Sequence, residues 1–323
     1  MKAVRIHQHG DFDVMRVDDV ELPRPQQGQV LIKIAVAGVN YADALLRMGV
    51  LASYATPPSL PLTLGFEAAG TIEEMGANVA GLQKGMRVAT LVDGGYAEYA
   101  LAEASNVIPL LDAVDFAPAV MIPVQGQTAY LALKTASLRQ GEIVLVHSAA
   151  GGVGSIAIQI AKLLGAKLVI GTTTSEEKEG FIRSLGADVV VRTNEAHWVE
   201  QVMQATDGRG IDVLLETIGG EVGKQSLNCL APFGRMVVYG TLTGQPIVFA
   251  AQELIGKCAS VIGYNTNVQS PEVQKHASQE LLRYIASGQL RVTSDSSFPL
   301  AEAGEAQKAL FTRKTRGKVI LTV

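Results

Sequence analysis

Cysteine is nearly missing from this 323-residue chain, occurring only as Cys229 and Cys258, with no CxxC spacing. Two thiols cannot build a four-thiolate zinc lobe and are too few for the disulfide framework of a secreted chain, so a reducing, cytoplasmic location is expected. Charge is also sparse. Only 18 % of residues are Asp, Glu, Lys or Arg, which excludes a charge-extended disordered chain. The 27 Lys and Arg stand against 31 Asp and Glu, for a formal net charge of −4. With no basic run, the footprint of a nucleic-acid binder is absent. Long apolar runs are missing as well. The most apolar stretch, Ile156 to Gly171, is broken by Gln159, Lys162 and Lys167, and the opening MKAVRIHQHGDFDV has a polar residue at every second or third position. Neither a membrane span nor a signal peptide is expected.

What the chain has in quantity is apolar residues, at 48 %, and glycine, with 33 copies. A length of roughly twice the ~150 residues usual for one domain points to two cores. The glycines fall in short clusters with no collagen-like period, so they serve tight turns or close approach to a ligand.

Up to about residue 120 the strongest pattern has period two. Val30, Ile32, Ile34 and Val36 share one face, with Lys33 opposite, and further short strands fit Ala68 to Glu73 and Met86 to Leu91. From about 123 the rhythm changes to short apolar runs alternating with helical segments, as a parallel sheet buried on both faces requires. The expected strands are IVLVHS (143–148), KLVIGT (167–172), DVVV (188–191), IDVLLET (211–217) and RMVVYG (235–240), with a helix from Val153 to Leu164 and Gly165 as its C′ residue. The segment from 261 to 323, ending in KVILTV, is too short for a third domain. It is assigned to the first, which gives a β-rich domain over 1–122 and 261–323 and a doubly wound α/β domain over 123–260.

The run HSAAGGVGSIAIQIAKLLGA places Ala149, Gly151 and Gly154 at the three positions of G-x-G-x-x-G, directly after a strand and before a helix. A side chain at 151 would block the backbone from a pyrophosphate, and Gly154 lets the helix approach the strand; the anion then meets the N–H groups of Ala150, Gly151, Gly152 and Val153 at the helix N-terminus. A bare βα turn would also explain these glycines, but four further βα units favour a dinucleotide site.

An NAD site presents an acid at the end of the second strand. Here that end reads Gly171, Thr172, Thr173, Thr174, Ser175, with no acid. Glu176 and Glu177 come later and suit the N-terminus of the next helix. Lys178 and Arg192 could reach a 2′-phosphate, or be ordinary surface cations. NADPH is therefore expected over NADH.

With the motifs AGVNYADALLRMG (37–49), LGFEAAGTIEEMG (64–76), GGYAEYAL (94–101), VQGQTAYLAL (124–133), the glycine-rich turn (147–166) and ETIGG (216–220) in this order, the chain resembles the medium-chain dehydrogenase/reductase family, and within it the zinc-free, zeta-crystallin-like quinone oxidoreductases. The resemblance covers essentially the whole chain. It implies a GroES-like catalytic domain with an inserted Rossmann-type domain, NADPH as cofactor and a homodimer paired through the strand around Ala259 to Tyr264. Zinc-dependent relatives carry cysteine where this chain has Asn40, histidine where it has Phe66 and a further ligand near Val124. Glu67 alone remains, and one carboxylate cannot hold a catalytic zinc. No metal is expected.

The resemblance also implies site roles. Asn40 and Tyr41 would line the cleft beside the nicotinamide, although a turn-satisfying amide and a half-buried tyrosine are the alternatives. Tyr54 would close the substrate mouth, in a segment, LASYATPPSLPL, that departs from the family pattern. Thr128 would contact the nicotinamide or its ribose, or cap a helix. Gly240, Thr241, Leu242, Tyr264 and Asn265 would hold the carboxamide and ribose, and Arg313, or Arg316 in another register, would complete the phosphate pocket. Glu67 and Asp43 are expected in buried polar networks, His147 at the end of its strand satisfying backbone, and the cysteines in the core.

A zinc ion would stabilise a developing alkoxide by several kcal/mol. Without it, conjugated acceptors are expected, because they delocalise the charge that arrives with a hydride. The first expectation is quinone reduction. The second is reduction of an enone or enoyl thioester, with Tyr41 or Tyr54 as proton donor; the third is a non-catalytic NADPH-binding protein.

Overall fold

The computed structural model describes residues 1–50, 58–294 and 296–323, so Tyr54 lies outside the described residues. The chain divides into two units, 1–124 with 278–288 and 292–323, and 125–277 with 289–291.

The first unit is built around the strand Gln29–Val39. Its alternating Val30, Ile32, Ile34 and Val36 are buried, and Lys33 is exposed. This strand pairs antiparallel with Glu67–Met75, Tyr99–Glu103 and the C-terminal strand Val319–Thr322, where Val319 faces Val39 and Leu321 faces Ala37. The return of the chain end to the first domain follows the expectation from KVILTV. The core joins Ile32, Ile72, Val88, Tyr96 and Leu321. A helix, Tyr41–Met48, leaves the end of the central strand, begins at Asn40 and stops at Gly49, whose φ of 71° is left-handed.

The second unit is a six-stranded parallel sheet. Its strands, numbered by their order in the chain, are Ile143–Val146, Leu168–Thr173, Val189–Arg192, Ile211–Glu216, Leu230–Val238 and Ser260–Gly263, and they lie in the order 3-2-1-4-5-6. This is the doubly wound arrangement expected from the alternating runs, with the order reversing between strands 1 and 4. The helix after strand 1 spans Gly152–Leu163, and Gly165 follows it at φ 88°.

The divisions between the units differ from the expected 122/123 and 260/261. They fall at 124/125 and 277/278. The second shift has a clear cause: Ser260–Gly263 pairs with Leu230–Val238 in the register Arg235 to Ser260 and Val238 to Gly263, so it extends the parallel sheet. Its four residues have no buried side chain and carried no strong apolar signal.

Among the described residues, no helix is long and apolar enough to cross a membrane.

Candidate functional site

The glycine-rich turn leaves the first strand at His147, and Ser148 adopts a left-handed φ of 50°. Gly151 N donates to Ser148 O at 2.9 Å, and Gly151, in extended backbone, begins the helix. A Cβ on Gly154 would lie 2.4 Å from Ser148 O and 2.8 Å from Ala149 Cα, so only glycine allows this approach of helix to turn. Ala149, the departure from the strict motif, is fully buried, and a Cβ on Gly171 of strand 2 would sit 3.0 Å from its methyl group. The glycine in strand 2 thus makes room for the extra carbon. The result is a cradle of backbone N–H groups at a helix start, which fits a pyrophosphate.

Strand 2 ends without an acid. Thr172 is fully buried and its Oγ1 lies 2.8 Å from His147 Nδ1, while Thr173 Oγ1 accepts from Ser175 N at 3.1 Å. Both hydroxyls bond within the protein. Ser175 makes no side-chain cap bond. Lys178 ends the short turn Glu176–Lys178 and is partly exposed. Arg192 is surrounded by acids, with Glu195 at 2.5 Å, Glu176 at 2.9 Å and Glu179 at 3.6 Å. Its charge is matched locally by these three carboxylates. Arg313 and Arg316, both exposed, belong to the first unit, between the helix Ala303–Phe311 and the last strand.

The loops after strands 4 and 5 are knit by backbone bonds. Leu242 N donates to Thr217 O at 2.8 Å, Thr243 N to Ile218 O at 3.0 Å and Gly220 N to Gln245 O at 3.0 Å. A Cβ at Gly240 would meet Thr217 Oγ1 at 2.6 Å, and Thr241 O accepts from Gly244 N. Thr128, Tyr264 and Thr266 form a hydroxyl chain: Tyr264 Oη is 3.1 Å from Thr266 Oγ1, which is 3.2 Å from Thr128 Oγ1. Asn265 Oδ1 accepts from Asn267 N and so shapes its own turn. Thr266 had no sequence signal, because a threonine in NTN reads as a turn.

In the first unit, Asn40 sits in a buried ionic cluster. Its Nδ2 donates to Glu67 Oε2 at 3.1 Å, its Oδ1 accepts from Lys318 Nζ at 3.0 Å, and its backbone N donates to Asp43 Oδ2 at 2.8 Å. Lys318 Nζ reaches Glu67 Oε2 at 2.5 Å, and Val124 N donates to Glu67 Oε1 at 3.2 Å. Burial pulls the Lys318 ammonium below its usual range, against the opposing pull of Glu67. Asp43, which accepts from Tyr96 Oη at 3.0 Å, is pushed up to about 7 by burial. A Lys acts only as a donor and a carboxylate only as an acceptor, so the two partners fix which way the Asn40 amide faces. Tyr41 lies flat on Phe311, ring centroids 5.5 Å apart and 3° from parallel.

The three positions where zinc-dependent relatives carry ligands therefore hold an amide, Asn40, an aromatic ring, Phe66, and the backbone of Val124. Two of them donate to Glu67. Among the described residues there is no group of three or more His, Cys, Asp and Glu that could hold a metal ion. The expected network role of Glu67 and Asp43 is what the geometry shows. For His147 the partners differ from the expected backbone: its ring meets the side chains of Thr172, Ser226 and Glu216. Cys229 is buried, whereas Cys258 is exposed, not a core thiol.

Comparison with known proteins agrees with this geometry. Residues 26–112 match the alcohol dehydrogenase GroES-like domain, and residues 152–283 match the domain described as zinc-binding dehydrogenase. The chain is 34 % identical to quinone oxidoreductase of Sus scrofa over 99 % of this chain and 97 % of that one. The structure of Escherichia coli quinone oxidoreductase complexed with NADPH superposes with a TM-score of 0.92 at 30 % identity, covering both chains completely. CurK enoyl reductase superposes at 0.89 with 29 % identity, over 99 % of this chain and 98 % of that one. The glycine cradle, the 3-2-1-4-5-6 sheet and full-length similarity together place the chain in the medium-chain dehydrogenase/reductase family, among its quinone oxidoreductases.

Proposed function

We propose that the protein is an NADPH-dependent oxidoreductase that reduces a quinone without a metal. The observation that carries this reading is the cradle at Gly151–Gly154 beside a strand end with no acid and with Lys178 close in sequence. An acid at that end would select the ribose hydroxyls of NADH, and its absence leaves room for a 2′-phosphate. NADPH, when bound, supplies the hydride. The protein's own task is to bind and orient the dinucleotide and to provide hydrogen bonds where charge develops on the acceptor oxygen. Asn40, with its amide direction set by Lys318 and Glu67, is the residue we assign to the nicotinamide end, on the resemblance described above. Tyr41 and Thr128 are assigned beside it on the same ground, with Gly240, Thr241, Leu242, Tyr264 and Asn265 at the carboxamide and ribose.

Conjugation in a quinone delocalises the incoming charge, so a site with amides and hydroxyls in place of a Lewis acid suits it. A second reading, reduction of an α,β-unsaturated carbonyl, is favoured by the similarity to CurK enoyl reductase. The deciding experiment follows NADPH oxidation at 340 nm with a series of quinones, enones and enoyl thioesters, each with and without a zinc chelator. Quinone turnover unaffected by the chelator supports the first reading; turnover confined to enones or enoyl thioesters supports the second. Binding of NADPH without oxidation by any acceptor would leave a non-catalytic binding protein.

We also assign, on the resemblance, a homodimer paired through Ser260–Gly263, the edge strand of the parallel sheet. Light scattering reads the mass directly.

A further inference from the structure

Several segments at the carboxyl ends of the parallel strands converge on one buried imidazole. His147 follows strand 1 and leads into the glycine-rich turn, and its side chain is fully buried. Nδ1 lies 2.8 Å from Thr172 Oγ1 in strand 2. Nε2 lies 2.7 Å from Ser226 Oγ, at the end of the helix Gly220–Ser226, and 3.2 Å from Oε2 of Glu216, the last residue of strand 4. The Trp198 ring packs edge-on against the imidazole at 5.8 Å.

Counting hydrogens fixes the tautomer. Ser226 Oγ donates to Val222 O at 2.7 Å, so it accepts from Nε2–H, and Nδ1 then accepts from the Thr172 hydroxyl. Burial holds the imidazole down to about 3, so the ring is neutral. Glu216 Oε2, buried and without a hydrogen bond, lies 3.2 Å from the same Nε2, so the polarised N–H is its nearest positive charge. Glu216 Oε1 accepts from Ile218 N at 2.5 Å and Gly219 N at 2.7 Å. Gly219 and Gly220 have φ of 78° and 56°, so this turn holds a conformation that its glycines permit and the carboxylate pins.

We infer that Glu216 and His147 are positioning residues for the dinucleotide, holding the glycine-rich turn and the Thr217–Gly219 turn in register across the switch point between strands 1 and 4. This rests on the reading that a dinucleotide occupies that crevice, where open α/β sheets bind their ligands. The pair touches strand 1, strand 2 through Thr172, the turn after strand 4 and the helix beyond it. The loop after strand 5 joins through its bonds to residues 217 to 220. A displacement of either residue is thereby passed to both sides of the crevice.

The device has a pH signature. Burial pushes the Glu216 carboxyl up to about 7 against the opposing pull of the two backbone donors. The titratable groups that face it are His147, neutral throughout, and Tyr239 after strand 5, whose phenol burial also pushes up and so keeps protonated. Above pH 7 the carboxylate accepts from the two turn amides through Oε1, and the charged Oε2 is held against the Nε2–H dipole. Below it, the added proton on Oε2 would face Nε2–H, and the link across the switch point is lost.

The test is fluorescence titration of NADPH into wild type, Glu216→Gln and Ser226→Ala from pH 6 to 8. The glutamine keeps an oxygen for the two turn amides but turns an NH2 group towards Nε2–H. At pH 8, Glu216→Gln should bind NADPH about tenfold more weakly, the scale of a hydrogen bond to a charged group. At pH 6 the two proteins should converge. Titration of the 2′-phosphate is common to both and drops out of the ratio. Ser226→Ala leaves Glu216 as the sole acceptor for Nε2–H, so it should move the midpoint of the wild-type profile to lower pH. Parallel profiles for wild type and Glu216→Gln, or an unmoved midpoint in Ser226→Ala, would overturn the inference while leaving the dinucleotide reading intact. Failure of wild type to bind either NADPH or NADH would end both.

Discussion

Lys318 Nζ lies 2.5 Å from Glu67 Oε2, and neither side chain is more than 2 % exposed. Strand Gln29–Val39 makes room for this ion pair at Gly38, where a Cβ would fall 2.2 Å from Glu67 Oε2 and 2.8 Å from Lys318 Nζ. The carboxylate that zinc-dependent relatives keep near their metal is here held by a lysine from the far end of the chain. Asn40 bridges the two ions, so the amide assigned to the nicotinamide takes its direction from this pair.

Removing one partner of such a pair leaves an uncompensated buried charge. Lys318→Met is expected to destabilise the protein by about 3–5 kcal/mol, and Lys318→Met with Glu67→Gln by much less, because the second change removes the stranded charge. Urea melts of the two variants and wild type measure this. Equal losses in the single and double variants would mean that packing around the lysine stem, not its charge, is what matters.

Lys318 shows where sequence reading stops. Strands 1 to 5 were legible because each is a short apolar run between turn residues, and the glycine turn because its spacing is tied to a strand and a helix. Only the resemblance marks an edge strand around Ala259 to Tyr264: Ser260–Gly263, with half-exposed residues, lacks the apolar run that marks the inner strands. Lys318 reads as an ordinary polar residue before the last strand, and only the pairing of Val319 with Val39 brings it beside Asn40 and Glu67. The same holds for Glu216, which looks like a strand-end acid until the fold sets it against His147. Arg192 is another case: its position past strand 3 suits a phosphate, and only the fold brings Glu176, Glu179 and Glu195 around it.

At Gly154 the steric requirement is local and severe. Gly154→Val is expected to cost more than about 2 kcal/mol, because the groups in the way, Ser148 O and Ala149 Cα, are backbone and cannot rotate aside. NADPH affinity should fall with it, since the same movement opens the cradle. Gly180→Ala is the control: it lies in the helix Glu179–Ser184 with nothing within 4 Å of the added methyl, and should be neutral or stabilising by up to about 1 kcal/mol. Thermal melts alongside NADPH titration separate the two outcomes.

Asp43 gives the first unit a pH dependence of defined sign. Its carboxyl is pushed up to about 7 by burial, from the 3.8 of an unperturbed carboxyl. Between those values the folded protein binds a proton that the unfolded chain has released, so stability falls as pH rises through this range, and the whole penalty is present above pH 7. Asp43→Asn removes the titration. The difference in unfolding free energy between wild type and Asp43→Asn, measured in urea at pH 5 and pH 8, should shift against wild type at the higher pH. A difference that stays constant between the two would place the Asp43 titration outside this range.

Lys178, proposed for the 2′-phosphate, can be tested by its effect on cofactor choice. The strand before it ends in Thr172 and Thr173, with no acid, and Lys178 follows within the turn Glu176–Lys178. A 2′-phosphate bound there gains a charge-assisted contact that the 2′-hydroxyl of NADH does not need. Lys178→Glu replaces this contact by repulsion, and should weaken NADPH at least about tenfold more than NADH, the scale expected when a hydrogen bond to a charged group is lost. The discrimination should shrink as salt is raised, because a partly exposed charge pair is screened over about 8 Å at physiological ionic strength. Titrations of both dinucleotides at two salt concentrations supply all the comparisons. Equal losses for NADPH and NADH would remove Lys178 from the phosphate site.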